Sequence, residues 1–148
     1  MNHIKTKKID YGFRLNNKPI LFYEDRSLAA DESTHQMEKA LRQMLTLGAK
    51  RDRIGALIGP GIGPCCYEVG EEVVAEFRGA GFSEGVFWKK DGATFLDLKK
   101  ANREMIEAEG IKCSRDVDLC TSCRQDLFFS ARRDAQGGRQ VNFVQLNR

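Results

Sequence analysis

The 148-residue sequence predicts a single α/β or α+β sheet domain, on three observations. Stretches with helically spaced apolar residues alternate with short apolar runs, the pattern of helices laid against a sheet. Aspartate and glycine stand where such elements need caps and turns. The length suits one core rather than two, and no repeat, low-complexity tract or linker divides residues 1–148.

Residues 1–30 carry the weakest pattern. Within them KPILFYED (18–25) has a short apolar centre, Ile20 to Tyr23, and predicts one strand. DESTHQMEKALRQMLTLGA (31–49) follows, with Met37, Ala40, Leu41, Met44 and Leu47 on one helical face. Asp31 or Ser33 can cap its start, and Gly48 can close its end. RIGALIG (53–59) predicts a buried strand stopped by a Gly-Pro loop. Val69, Val73 and Phe77 then recur every four residues, a second helix ended by Gly79 and Gly81. GVFWKKDGATFLDL (85–98) predicts two strands turned around Asp91-Gly92. Asp97 caps a third helix, LKKANREMIEAEG (98–110), with Leu98, Ala101, Met105 and Ala108 on its inner face and Gly110 at its end. VDLC (117–120) suggests a short strand, and QVNFVQL (140–146) predicts the last, after a glycine turn at 137–138.

Charge and composition narrow the function classes. The net charge of +3 comes from 24 basic and 21 acidic residues, interspersed, which argues against a nucleic-acid binder. The lysines near the N-terminus precede no apolar core of a secretory signal, and no apolar run approaches a membrane span. The expectation is a cytoplasmic protein whose five cysteines are thiols or ligands, since an odd number cannot all pair within the chain.

The stretch IGPGIGPCCYEVGEE (58–72) raises the sharpest chemical question. A loop of Gly59, Pro60, Gly61, Gly63 and Pro64 can turn successive N–H groups inward to hold an anion. Glu68, Glu71 and Glu72 oppose that by placing carboxylates at the next helix start. Cys65 or Cys66 can be nucleophiles at a helix end, but a base is needed, and only His3 and His35 exist. His35 reads as a solvated histidine off the apolar stripe. Joined to Cys113, Cys120 and Cys123, the pair can also form a zinc site, since Cys120-x-x-Cys123 has knuckle spacing. Against zinc stands the expectation that adjacent cysteines point apart. On spacing alone, small buried residues that let the loop pack tightly remain ahead.

Three blocks carry a resemblance to a known family. IGPGIGPCCYEVGEEV (58–73), FLDLKKANREMIEAEGI (95–111) and LCTSCRQDLFFSARRDAQGGR (119–139) closely resemble, in order and spacing, the YfiH or laccase-domain family. That family is variously described as polyphenol oxidase, purine nucleoside phosphorylase and peptidoglycan editing factor. The likeness covers about residues 35–146, with 1–34 divergent. It implies a mixed α/β sandwich with sheets flanked by helices, incomplete here on the N-terminal side. It implies phosphorolysis of adenosine or inosine, with a zinc or copper ion held by one cysteine and two histidines in intact members.

The implied ligands are where this chain departs. Asn17, before Pro19, stands at the family's cysteine, and RSLAADES (26–33) replaces its His-Ala-Gly-Trp-Arg-Gly. The remaining histidine would lie upstream of Met1. The resemblance therefore implies a truncated or degenerate member, with no metal or cofactor expected in this chain and activity impaired or absent. Whether it is an enzyme at all stays open. Gln125 and Ala131 replace a family proline and tyrosine, while Arg132, Arg133 and Asp134 match. Two adjacent arginines on a strand would face opposite sides, so one at most reaches a given pocket. Pocket candidates are Gly61, Gly63, Cys65, Cys66, Tyr67, Arg132 and Arg133. Expected partners are a purine nucleoside and phosphate, with no nucleic acid or membrane. The alternative is a non-catalytic module that self-associates, or pairs with another chain, through an exposed sheet edge.

Overall fold

The computed structural model describes residues 13–15, 18–22 and 39–138. In chain order the main elements are β1 (Phe13–Leu15), β2 (Lys18–Phe22), α1 (helical over 39–46), β3 (Gly55–Ile58) and β4 (Glu68–Val69). There follow α2 (Glu71–Gly79), β5 (Phe87–Lys90), β6 (Ala93–Leu96), α3 (Leu98–Ala108) and β7 (Lys112–Asp116). The strands form two sheets, which bears out the mixed α/β class. The first has order β1-β2-β3-β7, antiparallel between β1 and β2 and parallel thereafter. The second, β4-β6-β5, is antiparallel.

Each sheet has its own core. Leu41 and Met44 of α1 meet Ile54, Ala56 and Ile58 along β3, and Met105, Ile106 and Ile111 at α3. Phe77, Val86, Leu96 and Ala101 form the second cluster. Phe82 packs against both and joins them.

Several local expectations hold because they rest on backbone conformation. Asp91 and Gly92 both have positive φ, 51° and 82°, and Lys90 pairs with Ala93 across them, a two-residue hairpin loop. The Asp97 carboxylate accepts the N–H of Lys100 at 3.0 Å, capping α3. Gly48 and Gly110 turn left-handed after α1 and α3.

Other expectations are corrected. Val69 lies in β4, and α2 starts only after Gly70, burying Val74 and Phe77. In α3, Ile106 is buried and Ala108 exposed, because Lys99, Asn102 and Ile106 share the inward face with Ala101 and Met105. Leu47 is 78% exposed, since the helix ends at residue 46 and the chain turns at Gly48. The strand expected at 117–120 is instead Lys112–Asp116, drawn into register by its parallel neighbour β3. The expectations for His3, Asn17, residues 26–33, His35, Met37 and the strand at 140–146 lie outside the described residues. No helix among the described residues is long and apolar enough to cross a membrane.

Candidate functional site

Parallel pairing of β3 and β7 delivers the chain leaving both strands to the same sheet edge, where open α/β sheets commonly bind ligands. The two departing segments run side by side. Val117 donates its N–H to the Ile58 carbonyl, Gly61 and Cys120 form a parallel bridge, and Thr121 donates to the Gly61 carbonyl at 3.0 Å. Gly61 and Gly63 are buried. A Cβ on Gly63 would stand 3.3 Å from both the Cys120 Cβ and the Cys65 Sγ, so a larger residue here would press the two cysteines outward by a few tenths of an ångström. The N–H groups of Cys66 and Tyr67 both return to the Gly63 carbonyl at 3.0 Å, winding Pro64-Cys65-Cys66 into a tight turn. The chain then leaves through Tyr67, whose carbonyl accepts the Leu96 N–H at 2.9 Å.

Four sulfurs meet at this edge. Those of Cys65, Cys66, Cys120 and Cys123 all lie within 4.8 Å of one another. Cys123 Sγ is 3.5 Å from that of Cys65 and 3.3 Å from that of Cys66. The expectation that adjacent cysteines point apart is therefore corrected. On a strand neighbouring side chains diverge by half a turn, but in a helix-like turn they diverge by only about 100°, and one partner can receive both. Cys113 is elsewhere, packed against the first core.

The cluster separates its thiols electrostatically. Cys65 is exposed, yet partial desolvation within the cluster pushes its thiol above the ordinary value of 9.0, and contacts with Cys123, Cys120 and Cys66 act the same way. Burial also raises Cys120, but the N–H groups of Gly63 and Cys123, a contact with Cys65 and the N–H of Ser122 outweigh it and bring Cys120 down to about 6. Cys123 is raised, chiefly through Cys66. A depressed thiol is ionised above its own pKa, so the neutral-pH thiolate sits on Cys120, not Cys65. In reduced protein held in chelator, alkylation of Cys120 is expected to rise with a midpoint near pH 6. Peptide mass mapping against pH checks this, and earlier labelling of Cys65 at neutral pH would contradict it.

The turn carrying Cys120 and Cys123 is held from behind. Lys99, only 7% exposed in the first turn of α3, donates its ammonium to the carbonyls of Val117 (2.9 Å) and Leu119 (3.2 Å). Its ion pair with Asp118, at 3.5 Å, adds little because that carboxylate is fully solvated. Arg133 donates to the carbonyls of Thr121 (3.0 Å), Ser122 (2.8 Å) and Phe128 (2.8 Å). Arg132 instead lays its guanidinium 4.9 Å from the Tyr67 ring centre, joining the two lips of the site. Both arginines lie in a turn, not on the expected strand, although they still diverge. Gln125, Ala131 and Asp134 are exposed nearby. Sequence reasoning passed over Lys99. The available signal was its spacing with Asn102 and Ile106, at i, i+3 and i+7, which puts a lysine on an inward face.

Known proteins match this chain in sequence and in fold. A family model described as multi-copper polyphenol oxidoreductase laccase matches residues 33–147. A purine nucleoside phosphorylase of Deinococcus radiodurans is 41% identical over 119 residues, covering 75% of this chain and 43% of that protein. The crystal structure of the hypothetical protein YfiH of Bacillus licheniformis matches with a TM-score of 0.62 and 34% identity, over 72% of this chain and 41% of that one. YlmD of Geobacillus stearothermophilus matches with a TM-score of 0.60 and 37% identity, over the same shares. The chain thus spans less than half the length of each of these relatives.

Proposed function

Because this chain belongs to the multi-copper polyphenol oxidoreductase laccase family, we propose that it supplies one wall of a purine-nucleoside phosphorylase site, acting on adenosine or inosine with phosphate in intact relatives. Its own turnover is proposed to be impaired or absent. The single observation that carries the pocket reading is the joined edge beyond β3 and β7, where Tyr67 and Arg132 face each other across the two segments. In phosphorolysis a phosphate oxygen bonds to the ribose C1′ while the C1′–N9 bond breaks and its electron pair leaves with the base. Arg132 uses its face on Tyr67, which leaves in-plane N–H groups for a phosphate oxygen. Arg133 spends its donors on three carbonyls and acts as a positioning residue. Gly61, Gly63, Cys65 and Cys66 shape the wall.

The zinc or copper ion that the resemblance implies for intact members needs one cysteine and two histidines. Both histidines of the sequence, His3 and His35, fall outside the described residues, and the metal-capable group among the described ones consists of four thiols. The described residues do not fit that centre.

A second reading, a module completed by another chain, is favoured by Leu127 and Phe129, each 55% exposed beside the cysteine turn. One preparation tests both. Incubation with inosine and phosphate is expected to release no hypoxanthine above a heat-killed control, and clear release would overturn the loss of activity. Light scattering of the same sample decides the second reading, which a monomer with cooperative melting defeats.

A further inference from the structure

We infer that Cys65, Cys66, Cys120 and Cys123 together hold one zinc-class divalent ion in a closed, all-thiolate site, fastening the loop after β3 to the turn after β7. The site shares no residue with the Cys-His-His centre implied for intact relatives, and it does not depend on the nucleoside reading.

The geometry is that of a single ion. Bonds of about 2.3 Å from a tetrahedral zinc to sulfur set the sulfurs about 3.8 Å apart. The two contacts to Cys123 are 3.3 and 3.5 Å, and all four sulfurs fall within 4.8 Å. Small outward shifts for the close pairs admit one ion at the centre. A multi-iron cluster, which interposes several irons and sulfides between its cysteines, has no room there.

The donor set selects the ion. Four soft thiolates disfavour magnesium and calcium and suit a thiophilic ion without geometric demands of its own. The surroundings match a ligand shell. Buried Gly63 lies beneath the sulfurs and donates its N–H to Cys120 Sγ at 3.2 Å, an outer bond of the kind that orients a metal-bound thiolate. Four ionised sulfurs packed this closely would repel one another, and a dication among them removes that penalty while the thiol protons pass to solvent. With all four positions filled, no place remains for water or substrate. The ion is a clamp on the pocket wall and not a reaction centre.

Protein expressed with zinc and purified under reducing conditions without chelator tests this. Elemental analysis is expected to give one zinc per chain. Native alkylation with mass detection should find Cys65, Cys66, Cys120 and Cys123 protected until chelator is added. Cobalt exchanged into the site should show thiolate-to-cobalt charge transfer and intense tetrahedral visible bands. Cys113→Ser should keep the ion, whereas Cys65→Ser and Cys123→Ser should each weaken zinc binding by more than about 100-fold, beyond the loss of an outer partner. If Cys123→Ser fails to fold, the exposed Cys65 position carries the comparison. Absence of metal with all thiols reactive overturns the inference. So does a disulfide mass deficit within the cluster, or bound cobalt without sulfur charge transfer.

Discussion

Truncation of Leu96 to alanine is expected to cost about 3–5 kcal/mol of folding stability. Leu96 is 0% exposed in the second core cluster, among Phe77, Val86 and Ala101. Losing its side chain forfeits the transfer of several carbons and leaves a cavity between a sheet and α3. A domain of this size has about 5–15 kcal/mol in all, so the melting temperature should fall by roughly 10 °C or more. Alanine keeps the backbone N–H that holds the Tyr67 carbonyl at 2.9 Å, so the loss falls on packing and not on that bond. Denaturant titration measures the loss, and a change below about 1 kcal/mol would show that the second core is not closed around this residue.

Lys99→Met is expected to cost about 1–3 kcal/mol. The methionine fills similar volume but leaves the Val117 and Leu119 carbonyls without their charged donor. Part of the loss is offset because the ammonium no longer has to be desolvated. The loosened segment leads directly into Cys120, so co-registration of the four sulfurs should suffer with it. Parallel measurement of melting and of zinc affinity separates two outcomes. A stability loss with unchanged affinity would mean that the lysine supports the helix alone and does not position the turn.

The legible parts of this fold are those fixed within a few residues. Asp91-Gly92, the Asp97 cap and the glycines at 48 and 110 each answer a local conformational need, and each lies where the pattern put it. Burial faces were less legible. Ala108 has the right spacing but lies too near the end of α3, and Lys99 occupies an inward position that hydrophobicity alone would deny it. The strand KCSRD (112–116) shows little apolar alternation, because its register is set by pairing with β3 from far along the chain. That same long-range pairing decides the candidate site. Cys120-x-x-Cys123 and Cys65-Cys66 were each visible, but their meeting depends on two parallel strands joined by a crossover, which no spacing within either motif encodes.

The separation of 57 to 58 residues between Cys123 and the Cys65-Cys66 pair has a consequence during synthesis. At about 5–20 residues per second, Cys65 and Cys66 leave the ribosome roughly 3–12 s before Cys123. For that interval the nascent chain carries two neighbouring sulfhydryls whose later companion has not yet been made. Speed of translation across α2, β5, β6 and α3 thus sets how long the polypeptide is chemically vulnerable before its own later half arrives to shelter it.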